Sequence, residues 1–204
     1  MKLRTHLLLL NGLLIANSGQ AADFAAGQEA YSIGDYETAL AEWAPLAEQG
    51  HAGSQFGLGS LYANGWGVPL DDAKALEWYQ RAANQGHAEA QYSIGVMYQN
   101  GWGVEQSDAE ALKWIQQAAD GGFPAAHRTL GDMYAGGFGV TPDPVQACKW
   151  FATGEALGDS ESSFDRSELE MNMQAADIAT ATELARSWLD DFRTRHPDYD
   201  WPDE

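Results

Sequence analysis

Among the side chains of this 204-residue sequence whose types could carry chemistry, His51, His87 and Cys148 are singled out by their places in a repeating pattern. His51 and His87 stand 36 residues apart, each directly after a glycine (Gly50 and Gly86), and paired imidazoles suggest a metal ion. Equivalent positions in successive helical units lie roughly 10 Å apart, a helix-packing distance. Two ligands on one Zn²⁺, at about 2.1 Å each, must come within about 4 Å of one another. The next position in the series is Phe123, which ligates nothing. Cys148 continues the series Leu76 and Leu112, so it reads as a buried core thiol rather than a nucleophile. As the only cysteine it can form no internal disulfide. No Gly-x-Ser-x-Gly elbow, Ser-x-x-Lys pair or phosphate loop is present. No catalytic residue, cofactor or metal is therefore expected, and the chain is not expected to be an enzyme. The rival class, an envelope hydrolase, would need an acid, a base and a nucleophile gathered in one pocket.

What the sequence repeats is structural. Leu58-Gly59-x-x-Tyr62-x-x-Gly65-x-Gly67-Val68 returns as Ile94-Gly95-x-x-Tyr98-x-x-Gly101-x-Gly103-Val104 and as Leu130-Gly131-x-x-Tyr134-x-x-Gly137-x-Gly139-Val140. A Trp follows each block (Trp78, Trp114, Trp150), then a terminal Gly (Gly86, Gly122, Gly158). Self-similarity at such a period means a solenoid, whose units bury their apolar faces against their neighbours, and helical units make it all-α.

Each unit reads as two helices. Phe56, Leu58, Gly59, Leu61 and Tyr62 fall at helical spacing and predict a helix from Ala52 to Asn64. Asp71 opens a second helix running to about Gln85, with Gly86 as the stop. Asp35, Asp71, Ser107 and Asp143 are N-caps in register, Ser107 forms a capping box with Glu110, and Pro144 follows Asp143 at the first helical position. Gly59, Gly95 and Gly131 lie inside helices, where Gly costs roughly 1 kcal/mol against Ala. A partner helix crossing at these points explains them, with Ala75, Ala111 and Ala147 on the opposite side of the crossing.

The motif resembles the Sel1-like repeat, a relative of the tetratricopeptide repeat. Leu58 to Gly86 matches its pattern at nearly every marked position, the middle copy keeps most of it, and the third is weaker, with Gly154-Glu155 where Ala-Ala is usual. The resemblance covers about residues 27–158 and implies a right-handed α-solenoid of helical pairs that binds proteins or peptides. Cysteine-rich members linked to β-lactam chemistry carry a Cys pair in every repeat, which this chain lacks. In tetratricopeptide-like units the first helix lines the concave groove. By that analogy the groove positions are Phe56, Ser60, Ala63 and Asn64; Tyr92, Val96, Gln99 and Asn100; and Arg128, Asp132, Ala135 and Gly136. Phe56, Tyr92 and Arg128 share one column, which either lines the groove or is half-buried between helices. Aromatic residues and Arg dominate interface energetics. A second column, the loop residues Trp66, Trp102 and Phe138, either lids the gap between each pair of helices or forms an exposed aromatic edge for a peptide or a sugar.

The expected organisation is a signal peptide at 1–22, an N-terminal helical half-repeat or cap at 23–50, and repeats at 51–86, 87–122 and 123–158. Capping helices at 159–195 and a loose acidic tail at 196–204 complete it. Lys2, Arg4 and His6, the apolar run Leu7 to Ile15 and the small residues Gly19-Gln20-Ala21 make the secretory pattern, with cleavage after Ala21 or Ala22. An uncleaved N-terminal anchor is the alternative. A polar helix from about Gln174 to Arg195 carries the stripe Ile178, Ala181, Leu184, Ala185, Trp188 and Leu189, suited to sealing the last repeat. Loss of Lys2 and Arg4 with the leader takes the net charge from −19 to −21. Such acidity excludes nucleic acid as a partner. It serves solubility or recruits a basic protein. The expectation is a monomeric, periplasmic or secreted scaffold, not inserted in a membrane, that binds an extracytoplasmic protein or peptide. Envelope polysaccharide is the alternative ligand.

Overall fold

The computed structural model of the protein describes residues 22–202. The secretory segment expected at 1–22 lies outside these, but for its last residue. Ten α-helices and no strand occur among the described residues: α1 (Phe24–Ser32), α2 (Tyr36–Glu48), α3 (Ala52–Asn64), α4 (Asp72–Ala83), α5 (Ala88–Asn100), α6 (Asp108–Asp120), α7 (Pro124–Gly136), α8 (Pro144–Ala156), α9 (Ser160–Glu170) and α10 (Ala175–Arg195).

The capping chemistry explains these limits. Asp35, Asp71, Ser107 and Asp143 each accept a backbone N–H of the first turn of α2, α4, α6 and α8. The capping box at Ser107 closes on one side only. Glu110 N–H donates to Ser107 Oγ, but the Ser107 N–H donates to the Tyr98 carbonyl at 2.9 Å and the Glu110 carboxylate pairs with Lys113. The Tyr62 carbonyl takes the Asp71 N–H and the Tyr134 carbonyl takes the Asp143 N–H in the same way, so the motif tyrosine anchors the start of the second helix in every repeat.

Helices within a pair meet at the predicted glycines. A Cβ on Gly59, Gly95 or Gly131 would fall within 2.3–2.5 Å of Tyr79, Ile115 or Phe151 respectively. These are the residues after each motif Trp, and only a bare Cα admits them. The buried apolar clusters continue from each unit into the next. Ala39, Trp43 and Ala47 of α2 pack on Leu58 and Leu61 of α3; Ala75, Tyr79 and Ala82 of α4 on Ile94 and Met97 of α5; and Ala111, Ile115 and Ala118 of α6 on Leu130 and Met133 of α7. Burying one such Ile or Leu contributes about 1.5–3 kcal/mol. No unit encloses its own core.

A buried polar contact repeats with the same period. Gln55 Nε2 donates to the Ala47 carbonyl (3.0 Å), Gln91 Nε2 to Ala83 (3.3 Å) and His127 Nε2 to Ala119 (3.1 Å). Each ties a first helix to the end of the preceding second helix.

Both ends differ from the sequence expectation in detail. Residues 23–50 hold a full helical pair, because α1 packs on α2 with Gly27 against the Trp43 ring. α1 lacks the Leu-Gly-x-x-Tyr signature, so only α2 was legible. At the other end α10 lies on α8, with Ala181, Ala185 and Phe192 buried, whereas Leu184 of the predicted stripe faces outward. The acidic tail, expected to be loose, folds back as far as Pro202. Tyr199 hydroxyl donates to the Gly122 carbonyl at 3.1 Å, and the Phe192 ring meets His196, Tyr199 and Trp201. Its aromatic residues, not its acids, decide its conformation.

Candidate binding face

The side chains with chemical potential all have structural tasks. His51 and His87 are the N-caps of α3 and α5: Nδ1 accepts the N–H of Ser54 (3.1 Å) and of Ala90 (3.3 Å). Phe123 at the third such position makes no side-chain cap bond, and Pro124 removes one of the N–H groups a cap would satisfy. Cys148 is buried in α8 with Sγ 3.5 Å from Glu170 Oε1, and burial, reinforced by that carboxylate, pushes its pKa up to about 11. Its thiolate is disfavoured, the reverse of what a nucleophile needs. Among the described residues no group of three His, Cys, Asp or Glu is placed to hold a metal ion.

The predicted groove residues fall on the face formed by the first helices, where they perform two kinds of work. Phe56 stacks on the His87 ring (4.8 Å between centroids) and Tyr92 packs against Phe123 (5.1 Å), its hydroxyl 3.3 Å from Thr129 Oγ1. The column therefore seals the joints between repeats with half-buried rings. Arg128 continues it by pairing at the surface with Glu161 of α9, and its charge also opposes the rise in the Asp132 pKa. Asn64 and Asn100 each donate from Nδ2 to the carbonyl one turn back in their own helix, Ser60 and Val96 respectively, at 2.8 Å. Ser60 Oγ donates to the Phe56 carbonyl and accepts from the Tyr79 hydroxyl.

Other parts of this face are open. A cleft of about 450 Å³ between α3 and α5 is lined by Ala63, Asn64, Tyr92, Val96, Met97 and Trp102, with Leu70 and Asp72 at its edge. A second of about 540 Å³ lies among Phe24, Tyr31, His51, Phe56, Ser60 and Glu89. Farther along, Asp132, Asp165 and Glu168 line a shallower acidic cleft between α7 and α9. Partial burial and the facing Asp165 raise the Asp132 pKa. Gln99 is half-buried on α5 and lines none of the three.

The loop column does not act as one edge. Trp66 stacks on Tyr36 (4.9 Å, 12° between planes) and touches Tyr31, which leaves it 36% exposed. Trp102 is 51% exposed and lines the first cleft, while Phe138, 52% exposed, covers Gly136. Leu70, 63% exposed, joins Trp102 at the cleft; it follows Val68-Pro69, and because Gln106 and Pro142 occupy its place in the other repeats, periodicity could not reveal it.

No helix among the described residues is long and apolar enough to cross a membrane. The Sel1 repeat family model matches residues 52–87, 88–123 and 124–159. A Sel1 repeat protein of Oxalobacter formigenes superposes with a TM-score of 0.66 at 28% identity, covering 82% of this chain and 72% of that one. A protective antigen of uropathogenic Escherichia coli displaying an SLR fold aligns with a TM-score of 0.44 at 21% identity, over 86% of this chain and 55% of that one. An exopolysaccharide production negative regulator of Rhizobium leguminosarum bv. viciae is 37% identical over 70 residues, 34% of this chain and 26% of that protein. The chain thus spans about a quarter of that relative's length. Three matched repeats in unbroken register, with the crossing glycines seated as the motif requires, establish that the chain belongs to the Sel1 repeat family.

Proposed function

We propose that this chain is a non-catalytic interaction scaffold of the bacterial cell envelope that holds an extracytoplasmic protein segment or peptide on the face formed by its first helices. The observation that carries this reading is the cleft between α3 and α5. Leu70 and Trp102 are both more than half exposed there beside Tyr92 and Val96, and large apolar surface left open in one concavity marks a binding site. The structural duties of His51, His87 and Cys148 support a role without catalysis. The basic-then-apolar leader supports export, and intact mass of the purified native protein tests it: a mature chain beginning at Ala22 or Asp23 is expected, and one that retains residues 1–21 overturns it.

Binding is tested by photo-crosslinking from position 96 in the cleft, in envelope extract, with wild type compared with Leu70→Ala/Trp102→Ala. Adducts lost in the double variant support the cleft; identical adducts move the site elsewhere. A second reading, envelope polysaccharide as ligand, is favoured by the exposed Trp102 and Phe138 rings and by the name of the Rhizobium relative. Glycan-array binding abolished by Trp102→Ala or Phe138→Ala would select it.

A further inference from the structure

The charges around the first-helix face point to the chemistry of its ligand. No Lys or Arg lines the α3–α5 cleft, the aromatic cleft before it or the acidic cleft after it. Arg128, the one cation among the groove positions, is engaged by Glu161. Asp72 stands at the edge of the apolar cleft, and Asp132, Asp165 and Glu168 line the one between α7 and α9. Tyr92 links the two regions, since its ring borders the apolar cleft while its hydroxyl meets Thr129 on α7. The face thus runs from an apolar seat to a patch in which Asp132, Asp165 and Glu168 outnumber the neighbouring cation Arg128.

We infer that the α3–α5 cleft takes a cationic peptide segment, with one aromatic or branched apolar side chain seated between Leu70 and Trp102 and Lys or Arg residues following towards Asp132, Asp165 and Glu168. The spacing follows from geometry. Neighbouring first helices lie roughly 10 Å apart, and an extended chain advances about 3.3 Å per residue. The first cation therefore falls about three residues from the anchor, and the run ends about six from it. The apolar anchor supplies affinity and the acids supply attraction and register, because surface charges steer and orient more than they bind. This inference rests on the peptide-binding reading above.

The test uses a labelled peptide carrying one Trp, a Gly spacer and a run of Lys, with two counterparts: Glu in place of Lys, and Ala in place of Trp. Fluorescence anisotropy should show binding of the Trp-Lys peptide only. Affinity should fall about tenfold or more on Trp102→Ala, and severalfold on Asp165→Asn/Glu168→Gln. It should also weaken as salt rises from about 0.05 to 0.5 M. Glu37→Gln/Glu77→Gln, the same charge change on the second helices α2 and α4, should leave it within about twofold. Melting curves of every variant separate lost binding from lost folding. Equal binding of the Lys and Glu peptides, or equal losses from the two charge variants, overturns the inference. If the Trp-Glu peptide alone binds and depends on Trp102, the cleft stands and its cationic preference falls. If no peptide binds and crosslinking from position 96 yields no adduct, both readings fall.

Discussion

His127 donates from Nε2 to the carbonyl of Ala119 at 3.1 Å, while Thr153 Oγ1 stands 2.8 Å from its Nδ1. Because a carbonyl can only accept, the ring proton sits on Nε2, which leaves Nδ1 as an acceptor facing the Thr153 hydroxyl; the Trp150 carbonyl, 2.9 Å from the same Oγ1, competes for that hydrogen. The imidazole is fully buried between Trp150 and Trp188, yet it makes the bond that Gln55 and Gln91 make in the preceding repeats.

This arrangement predicts a pH dependence. Burial, opposed by the Ala119 bond, pushes the His127 pKa from its ordinary 6.5 down to about 3. Since the folded value lies below the unfolded one, the unfolded chain takes up the proton first as pH falls. Stability is fully present above 6.5 and is lost between 6.5 and about 3, at up to roughly 1.4 kcal/mol per pH unit. His127→Gln keeps the bond and removes the titration, so thermal melts from pH 7 to 4 should decline less steeply than in wild type. Parallel curves would assign the acid sensitivity to other groups.

Two glycines separate backbone strain from close approach. Gly86 and Gly139 both hold positive φ (84° and 72°), but a Cβ on Gly86 meets open space whereas one on Gly139 would lie 2.3 Å from the Asp108 carbonyl oxygen. Gly86→Ala should cost about 1 kcal/mol, the left-handed penalty alone. Gly139→Ala adds a clash with backbone that cannot rotate away and should cost about 2 kcal/mol or more. Chemical denaturation of the pair checks the order, and equal costs would refute the close contact.

The crossing in the middle repeat gives a different signature. Gly95→Leu drives a side chain into Ile115 and should cost roughly 1–3 kcal/mol or more. Because each unit packs only on its neighbours, the damage should divide unfolding into stages. A single unchanged transition by calorimetry would contradict the crossing.

Cys148 should be inert in the native state. With its pKa near 11, about one thiol in ten thousand is ionised at pH 7, and the group is buried besides. Iodoacetamide should label it only after denaturant is added, as read by intact mass. Rapid labelling of folded protein would place the thiol at the surface.

Deletion of residues 196–204 should destabilise the chain by about 1–3 kcal/mol, because it uncovers Phe192 and removes the Tyr199–Gly122 bond. An unchanged melting temperature would mean that the folded-back tail contributes nothing.

By itself the sequence determined what repeats. Helix limits, N-caps at Asp35, Asp71, Ser107 and Asp143, and the crossings at Gly59, Gly95 and Gly131 were legible because each depends on residue type at a fixed local spacing, and three copies confirm one another. The tertiary structure decided everything that depends on which unit touches which. Phe56 and Tyr92 were identified by position, but only packing put their rings against the N-cap residues of the next repeat. Arg128 was identified by its column, but its partner Glu161 lies outside the repeat pattern and only the fold brings the two together. Leu70, α1 and the Phe192–Tyr199 cluster occur once each, so periodicity had nothing to amplify. A one-dimensional repeat specifies its own joints in advance, while the clefts and ends arise from side chains that break the repeat, and their surroundings exist only after the chain has folded.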